Sequence, residues 1–313
     1  MKNILFALSV FLFTKADAQQ SFPRDTSFNI PATFEKEKKK RPYIIIAEPA
    51  ISKQVSVKKN IVFKKAGEHA LTLDIFYAGK AKKNTPAVLL IFGGGWRSGD
   101  KTHNYAMATE LARQGFVTVT ADYRLSPEAT YPAAIIDLKD ALRWIRANAQ
   151  AYSVDKNRIA VLGCSAGGQL AALLGNTNKQ LILGGQIVDT TDASVQAIVN
   201  IDGTLAFRHP ESVEGAVAAQ WLGGTYEERP GIWEEAAPLN HVDKNSAPVF
   251  FVNSSIPRFH AGRDDMIRKL DSLNIYSQIH TFPDTPHPFW FFHPWFDPMM
   301  KEIGGFLRKV FVY

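Results

Sequence analysis

The chain is poor in cysteine. Its 313 residues include one, Cys164, so no disulfide can form within it and no cysteine-rich metal site can be built. Its core must hold without covalent staples. The composition allows this: 46% of the residues are hydrophobic and 21% charged, enough for one large globular domain or two at most. Long apolar runs are also scarce. Ile4 to Phe13 comes nearest and is too short to span a bilayer. With Lys2 before it and the small-x-small triplet Ala16-Asp17-Ala18 after it, this run has the form of an export signal over residues 1–18. Cleavage is expected near Gln19, and a periplasmic or secreted location follows. The net charge is +6, part of it gathered in residues 36–41 and in Lys58, Lys59, Lys64 and Lys65. Such lysines belong either to a solvated surface or to one that attracts a polyanion outside the cell, such as an acidic polysaccharide. Nucleic-acid modules, internal repeats, low-complexity segments and the dinucleotide glycine spacing are all missing, which excludes those function classes.

What is present is an alternating pattern. Residues 19–55 carry little periodicity and are expected to form an extension laid over the domain, partly disordered, in which Tyr43 to Ile46 could add an edge strand. From Ile61 the pattern sharpens. Strands are expected at 61–65, 70–77, 87–92, 116–121, 158–162, 197–201, 248–252 and 276–282, the first two paired around Gly67-Glu68. Helices are expected at 105–113, 134–149, 263–273 and 299–311, and after Ser165. Strands alternating with helices over residues 56–313 specify a mostly parallel central sheet with helices on both faces. The stretch 204–245, irregular and holding Trp221 and Trp233, reads as a small cap insertion over the site.

The chain is organised around Gly163-Cys164-Ser165-Ala166-Gly167, which joins the apolar run Arg158 to Leu162 to the helix formers Gln169 to Leu174. Strand, Gly-x-Ser-x-Gly and helix make the turn that lifts a serine hydroxyl above a sheet edge, glycine being required on either side because a side chain there would clash. The helix that follows aims its positive end at any oxyanion formed beside Ser165. Cys164 reads as a small packing residue beneath that turn. Serine needs donors for the developing oxyanion, and Phe92-Gly93-Gly94-Gly95-Trp96 supplies bare N–H groups at a strand end. Gly93 and Gly94, with the N–H of Ala166, form the expected oxyanion hole.

Three landmarks in order now carry a resemblance: Gly93-Gly94-Gly95-Trp96, then Asp122-Tyr123-Arg124-Leu125-Ser126-Pro127-Glu128, then Gly163-Cys164-Ser165-Ala166-Gly167. From about Ile61 to its end the sequence resembles an α/β hydrolase of the hormone-sensitive-lipase and carbohydrate-esterase type. The resemblance implies the α/β-hydrolase fold and a Ser-His-Asp acyl-enzyme mechanism without metal or cofactor. It implies a structural role for Asp122. It also implies a loop-organising histidine where this chain has Phe92, a departure that leaves the backbone donors in place.

The general base is expected late in the chain, after the last strand, where His287 follows Pro283-Asp284-Thr285-Pro286. His280 lies inside the strand, His293 fits a structural or substrate contact, and His260 and His241 are lesser candidates for the base. The acid is less determined. The family usually carries it after the strand that is here 248–252, but the sequence there is Asn253-Ser254-Ser255-Ile256-Pro257. Asp202 at the preceding strand end, Asp264 or Asp265 in the next helix, or a Ser–His dyad with no acid all remain open.

Around this centre, Trp96, Arg258, His260 and Trp290 are expected substrate contacts. The run 286–296 could pack as core or stack on sugar rings, and Arg258, His260 and Arg263 could meet a uronate carboxylate. Export, basic surface and family likeness together resemble secreted bacterial esterases that remove acetyl, methyl or feruloyl groups from plant cell-wall polysaccharides, pectin among them. Two readings compete: a lipase or peptidase of the same fold, and a decayed hydrolase that only binds carbohydrate. The charged residues Arg208, Glu211, Glu214, Glu227 and Arg229 in the cap oppose a greasy lipase lid.

Overall fold

The computed structural model describes residues 24–50, 54–79, 84–180, 182–187 and 192–312. The expected export signal, with its cleavage point, lies outside the described residues. Among them, eight strands form the central sheet: β1 (Val55–Ala66), β2 (His69–Ala78), β3 (Thr85–Ile91), β4 (Val117–Ala121), β5 (Val154–Cys164), β6 (Ala197–Ile201), β7 (Val249–Asn253) and β8 (Ser277–Thr281). Their order across the sheet is β8-β7-β6-β5-β3-β4-β2-β1. The β1–β2 and β2–β4 pairs are antiparallel and all others parallel, so this is the α/β-hydrolase sheet.

The helices are α1 (Ile30–Lys38), α2 (Tyr105–Arg113), α3 (Ala133–Ala147), α4 (Ala166–Asn176), α5 (Ala216–Leu222), α6 (Pro230–Glu235), α7 (Arg263–Ser272) and α8 (Phe296–Val312). Side chains alternate across a strand, so each central strand serves two cores. In β3, Leu89 and Ile91 pack with Ile135 and Leu138 of α3 and Leu170 of α4. Val88 and Leu90 pack on the other face with Leu111 of α2 and Ile303 and Phe306 of α8. These β3 side chains are completely buried, each removal from water contributing about 1.5–3 kcal/mol. Residues 204–245, the stretch expected to form a cap, hold α5 and α6, and their Trp221 and Trp233, buried beside Phe207, belong to the same apolar cluster as Leu89 and Leu170.

The described part of the N-terminal segment lies over the domain and is ordered by packing, not by its own periodicity. Asn29 caps α1 by accepting from the Ala32 N–H at 2.9 Å, a contribution of about 1 kcal/mol. Phe28, Ile30 and Phe34 then pack against the core that holds Phe291 and Phe292. Ile45 and Ile46 pair antiparallel with His293 and Phe292, not with the edge of the main sheet. The aromatic run is therefore core: Phe289, Trp290, Phe291, Phe292 and Phe296 are all buried, and the N-terminal segment covers part of it.

Candidate active site

Ser165 sits where β5 passes into α4, with φ 54° and ψ −122°. A non-glycine residue rarely adopts this conformation, and here the neighbours enforce it. A Cβ on Gly163 would lie 1.9 Å from the Gly167 carbonyl oxygen, and one on Gly167 would lie 2.2 Å from the oxygen of Ile91. Only glycine lets the turn close this tightly. Ser165 is also held through its N–H, which donates to the Ile201 carbonyl at 2.8 Å.

The hydroxyl meets an imidazole. His287 Nε2 is 2.8 Å from Ser165 Oγ, and His287 Nδ1 is 3.0 Å from Asp202 Oδ2. Asp202 directly follows β6, is almost fully buried and takes a left-handed backbone (φ 47°), a conformation aspartate tolerates better than most residues. Its N–H donates to Val252, and its second oxygen accepts the Ser254 N–H at 2.8 Å. The loop after β7, expected in this family to carry an acid, thus holds the acid supplied by the neighbouring strand. Among the open alternatives the geometry brings Asp202 to His287. Asp264 is largely exposed and paired with Arg263 at 2.8 Å, and Asp265 pairs with Arg268.

On the other side of the hydroxyl lies the glycine loop. A Cβ on Gly93 would lie 3.0 Å from that of Ser165, which shows how closely the two backbones approach. Among the described residues no backbone acceptor takes the N–H of Gly93, Gly94 or Ala166, so these donors are free to meet an oxyanion. Phe92 replaces the loop-organising histidine by another device. Its ring stacks on Tyr123 at 4.4 Å, while the Tyr123 hydroxyl donates to the Phe92 carbonyl at 2.9 Å. The Ser126 N–H donates to the Trp96 carbonyl at 2.8 Å. The second landmark therefore fastens the first. Within it, Asp122 accepts from Thr72 at 3.0 Å and from the Lys101 N–H at 3.2 Å, and Arg124 grips Asp137 in a bidentate pair.

Ser165, His287, Asp202, Gly94, Gly95 and Ala166 line a cleft of about 790 Å³, shared with Thr204, Glu214 and Val217 of the 204–245 stretch, Arg258 and Phe259 of the loop after β7, and Lys36, Glu37, Lys40 and Arg41 at and just beyond the end of α1. Of the four expected substrate contacts, Arg258 faces this cleft. Trp96 borders it, but its ring is buried. It stacks on Trp221 at 4.8 Å, and its Nε1 donates to Gln169 at 2.9 Å, so it braces the loop under the cap. Trp290 is buried behind the base, edge-on to His287 at 5.0 Å. His260 is buried and lowered in pKa, chiefly by desolvation and next by Arg263, so it is no contact for a uronate. Arg263 is committed to Asp264 and to Asn253. Of the other histidines, His280 pairs with Glu302, His293 with Asp297, and His241 lies against Gln180 and the Glu235 carbonyl.

Three cleft features were not legible in the sequence: the α1 wall, Phe259 and Glu214. The α1 wall was signalled only by its cap, Asn29 before Ile30-Pro31. Glu214 is half-buried, and desolvation pushes its pKa up, with Arg258 and His287 opposing.

Fold and site together define an α/β hydrolase with a serine raised between an imidazole and free backbone amides. The chain belongs to the BD-FAE family, whose model matches residues 73–278. It is 34% identical over 194 residues to esterase LipC of Mycobacterium tuberculosis, covering 59% of this chain and 48% of that one. The chain spans about half the length of the first curated relatives it matches. In fold it resembles a truncated carbohydrate esterase from gut microbiota, with a TM-score of 0.70, 22% identity and coverage of 85% of this chain and 99% of that one. It also resembles the bifunctional GH43-CE protein of Bacteroides eggerthii, with a TM-score of 0.69, 24% identity and coverage of 84% and 36%.

Proposed function

We propose that this protein is an exported serine esterase that removes acyl or alkyl groups from a decorated plant cell-wall polysaccharide such as pectin. One observation carries the reading: the unbroken hydrogen-bonded chain Ser165–His287–Asp202. Asp202 holds the Nδ1–H of His287, which leaves Nε2 free to take the Ser165 proton as Oγ attacks the ester carbonyl. The carbonyl oxygen becomes an oxyanion facing the N–H groups of Gly94 and Ala166, at the positive end of α4. The imidazolium then gives its proton to the departing alcohol, leaving Ser165 acylated. Water, activated by the same imidazole, releases the acid and restores the serine.

Support for the ester class comes from the family and from LipC, itself described as an esterase. Support for a carbohydrate comes from the structural neighbour described as a carbohydrate esterase, which by itself establishes only the fold, and from the size of the cleft, far larger than an acetyl group requires. The intact serine, base and free amides oppose a decayed, binding-only protein. The charged cap opposes a lipase. The export proposal rests on the form of residues 1–18 and is read directly by the N-terminal sequence of the mature protein, expected to start near Gln19.

The deciding experiment is hydrolysis of p-nitrophenyl acetate together with labelling by a serine-directed phosphonate, run beside Ser165→Ala. Turnover and a single label on the wild type, both lost in the variant, are expected. A wild type that neither turns over nor is labelled removes the esterase reading.

A further inference from the structure

Every carboxylate on the active-site cleft except one is committed, and several of its cations are not. Glu37 is taken by Arg41 at 3.0 Å, and Asp202 by His287. Glu214 is the exception; it stands near Arg258 and His287, forms no ion pair among the described residues and is half-buried. Against these, Lys36, Lys40 and Arg258 line the same cleft, are exposed, and have no ion-pair partner among the described residues. The Arg258 guanidinium lies over the Phe259 ring, 3.9 Å from its centre.

The two lysines are presented by a fixed wall. Ala32, Lys36 and Lys40 recur every fourth residue, as do Thr33, Glu37 and Arg41, and all of them face the cleft. The helical course runs past α1, since the Arg41 N–H donates to the Glu37 carbonyl at 3.0 Å. Arg41 also ties this wall to the loop of the base, its Nε donating to the Asp284 carbonyl at 3.3 Å. Upstream, the Asp25 N–H donates to the Arg97 carbonyl at 3.0 Å, and the Arg97 side chain pairs with Asp25 at 2.7 Å. The helix dipole favours cations at and just beyond the C-terminal end of a helix whichever way they point. It does not account for two of them lining the cleft that holds Ser165.

We infer that Lys36 and Lys40, with Arg258 across the cleft, form a subsite for the free carboxylates of a polyuronate, so that the ester cleaved at Ser165 sits on an acidic sugar chain. This rests on the esterase reading above and narrows its substrate. Lys36 and Lys40 stand one helical turn apart, about 6 Å along the axis, so an extended chain lying along this wall meets them with different sugar units. A neutral xylan has nothing to offer these cations. A fully methyl-esterified uronan has lost the charge they recognise. The preferred substrate is therefore an O-acylated or sparsely methylated polyuronate. Attraction of this kind also raises the encounter rate and weakens as salt screens it.

The test compares kcat/KM on O-acetylated polygalacturonate, O-acetylated xylan and p-nitrophenyl acetate, for the wild type, Lys36→Gln/Lys40→Gln and Lys36→Glu/Lys40→Glu. The expected result is at least a tenfold preference of the wild type for the acidic polymer over xylan, falling several-fold between 50 mM and 500 mM NaCl. The ratio of acidic-polymer to p-nitrophenyl acetate activity should drop about tenfold in the glutamine variant and further in the glutamate variant. As a readout without turnover, Ser165→Ala protein should bind oligogalacturonate in a titration and bind neutral xylo-oligosaccharide at least tenfold more weakly. Equal activity on both polymers, or a ratio unmoved by either double variant, overturns the subsite while p-nitrophenyl acetate turnover keeps the esterase reading. Loss of turnover on all three substrates by the wild type overturns that reading instead.

Discussion

The Phe259 ring lies flat against the His287 imidazole, with 3.3 Å between ring centres and 9° between their planes. Trp290 meets the same imidazole edge-on, so the base is fixed by two aromatic contacts and by Asp202. Stacked pairs of this kind contribute about 0.5–1.5 kcal/mol each. Here the larger effect is on orientation. Phe259→Ala should lower kcat on p-nitrophenyl acetate about tenfold with little change in KM, because a small misplacement of a reacting group is costly. Phe259→Tyr should restore most of the loss. A kcat unmoved by alanine, with the thermal midpoint also unmoved, would show that the other two contacts suffice.

Asp202→Asn removes the acceptor that sets the tautomer of His287. By analogy with triad enzymes in general, kcat should fall by about 10³–10⁴-fold, while Asp264→Asn, at an exposed carboxylate already paired with Arg263, should stay within about twofold. Steady-state kinetics on a chromogenic acetate ester reads both. The reverse ranking would return the acid to α7.

This residue also shows where the sequence stops being legible. The elbow, the glycine loop and the expected base are local patterns, each marked by glycines or a strand end, and the sequence alone picks out residues that the fold brings together. So were the strands and helices from Ile61 onward, because burial on two faces demands apolar runs and helical spacing. The acid was ambiguous because its choice depends on how two strand ends lie side by side. Asp202 meets His287 with one oxygen while the other accepts the Ser254 N–H of the loop after β7. Trp96 and Trp290 were misplaced for a related reason. An aromatic residue beside a site can face the ligand or brace the site from behind, and the partners that decide this, Trp221 for one and His287 for the other, are distant in sequence. The α1 wall was missed because its order comes from contacts with Phe291 and Phe292 and not from any period of its own.

The glycines of the elbow give a stability prediction with an internal control. Gly163→Ala would push its Cβ to 1.9 Å from a backbone oxygen that cannot move without unwinding the turn. A loss above about 4 kcal/mol is expected, seen as insoluble expression or a collapsed thermal midpoint. Gly305, exposed inside α8, has open space where its Cβ would go. Gly305→Ala should therefore stabilise the protein by about 0.5–1 kcal/mol through helix propensity. Equal effects at the two positions would contradict the close approach that defines the turn.

Cys164 neighbours the nucleophile yet should be chemically silent. Its side chain is buried, and desolvation, with the Asp202 charge beside it, pushes the thiol well above its ordinary pKa. A disulfide reagent such as Ellman's at pH 8 should leave the native protein unmodified, and the same reagent in guanidinium should titrate one thiol. The shift also has a thermodynamic sign. Above about pH 8.5 the unfolded chain releases the thiol proton while the folded protein keeps it, so the unfolded state binds fewer protons and stability falls as pH rises. Each pH unit in that window costs up to about 1.4 kcal/mol. Cys164→Ala should flatten this part of the stability curve between pH 8.5 and 10, measured by urea unfolding. A native thiol that reacts as fast as the denatured one would mean that the floor of the elbow opens to solvent, and with it the strand end that holds Ser165 in place.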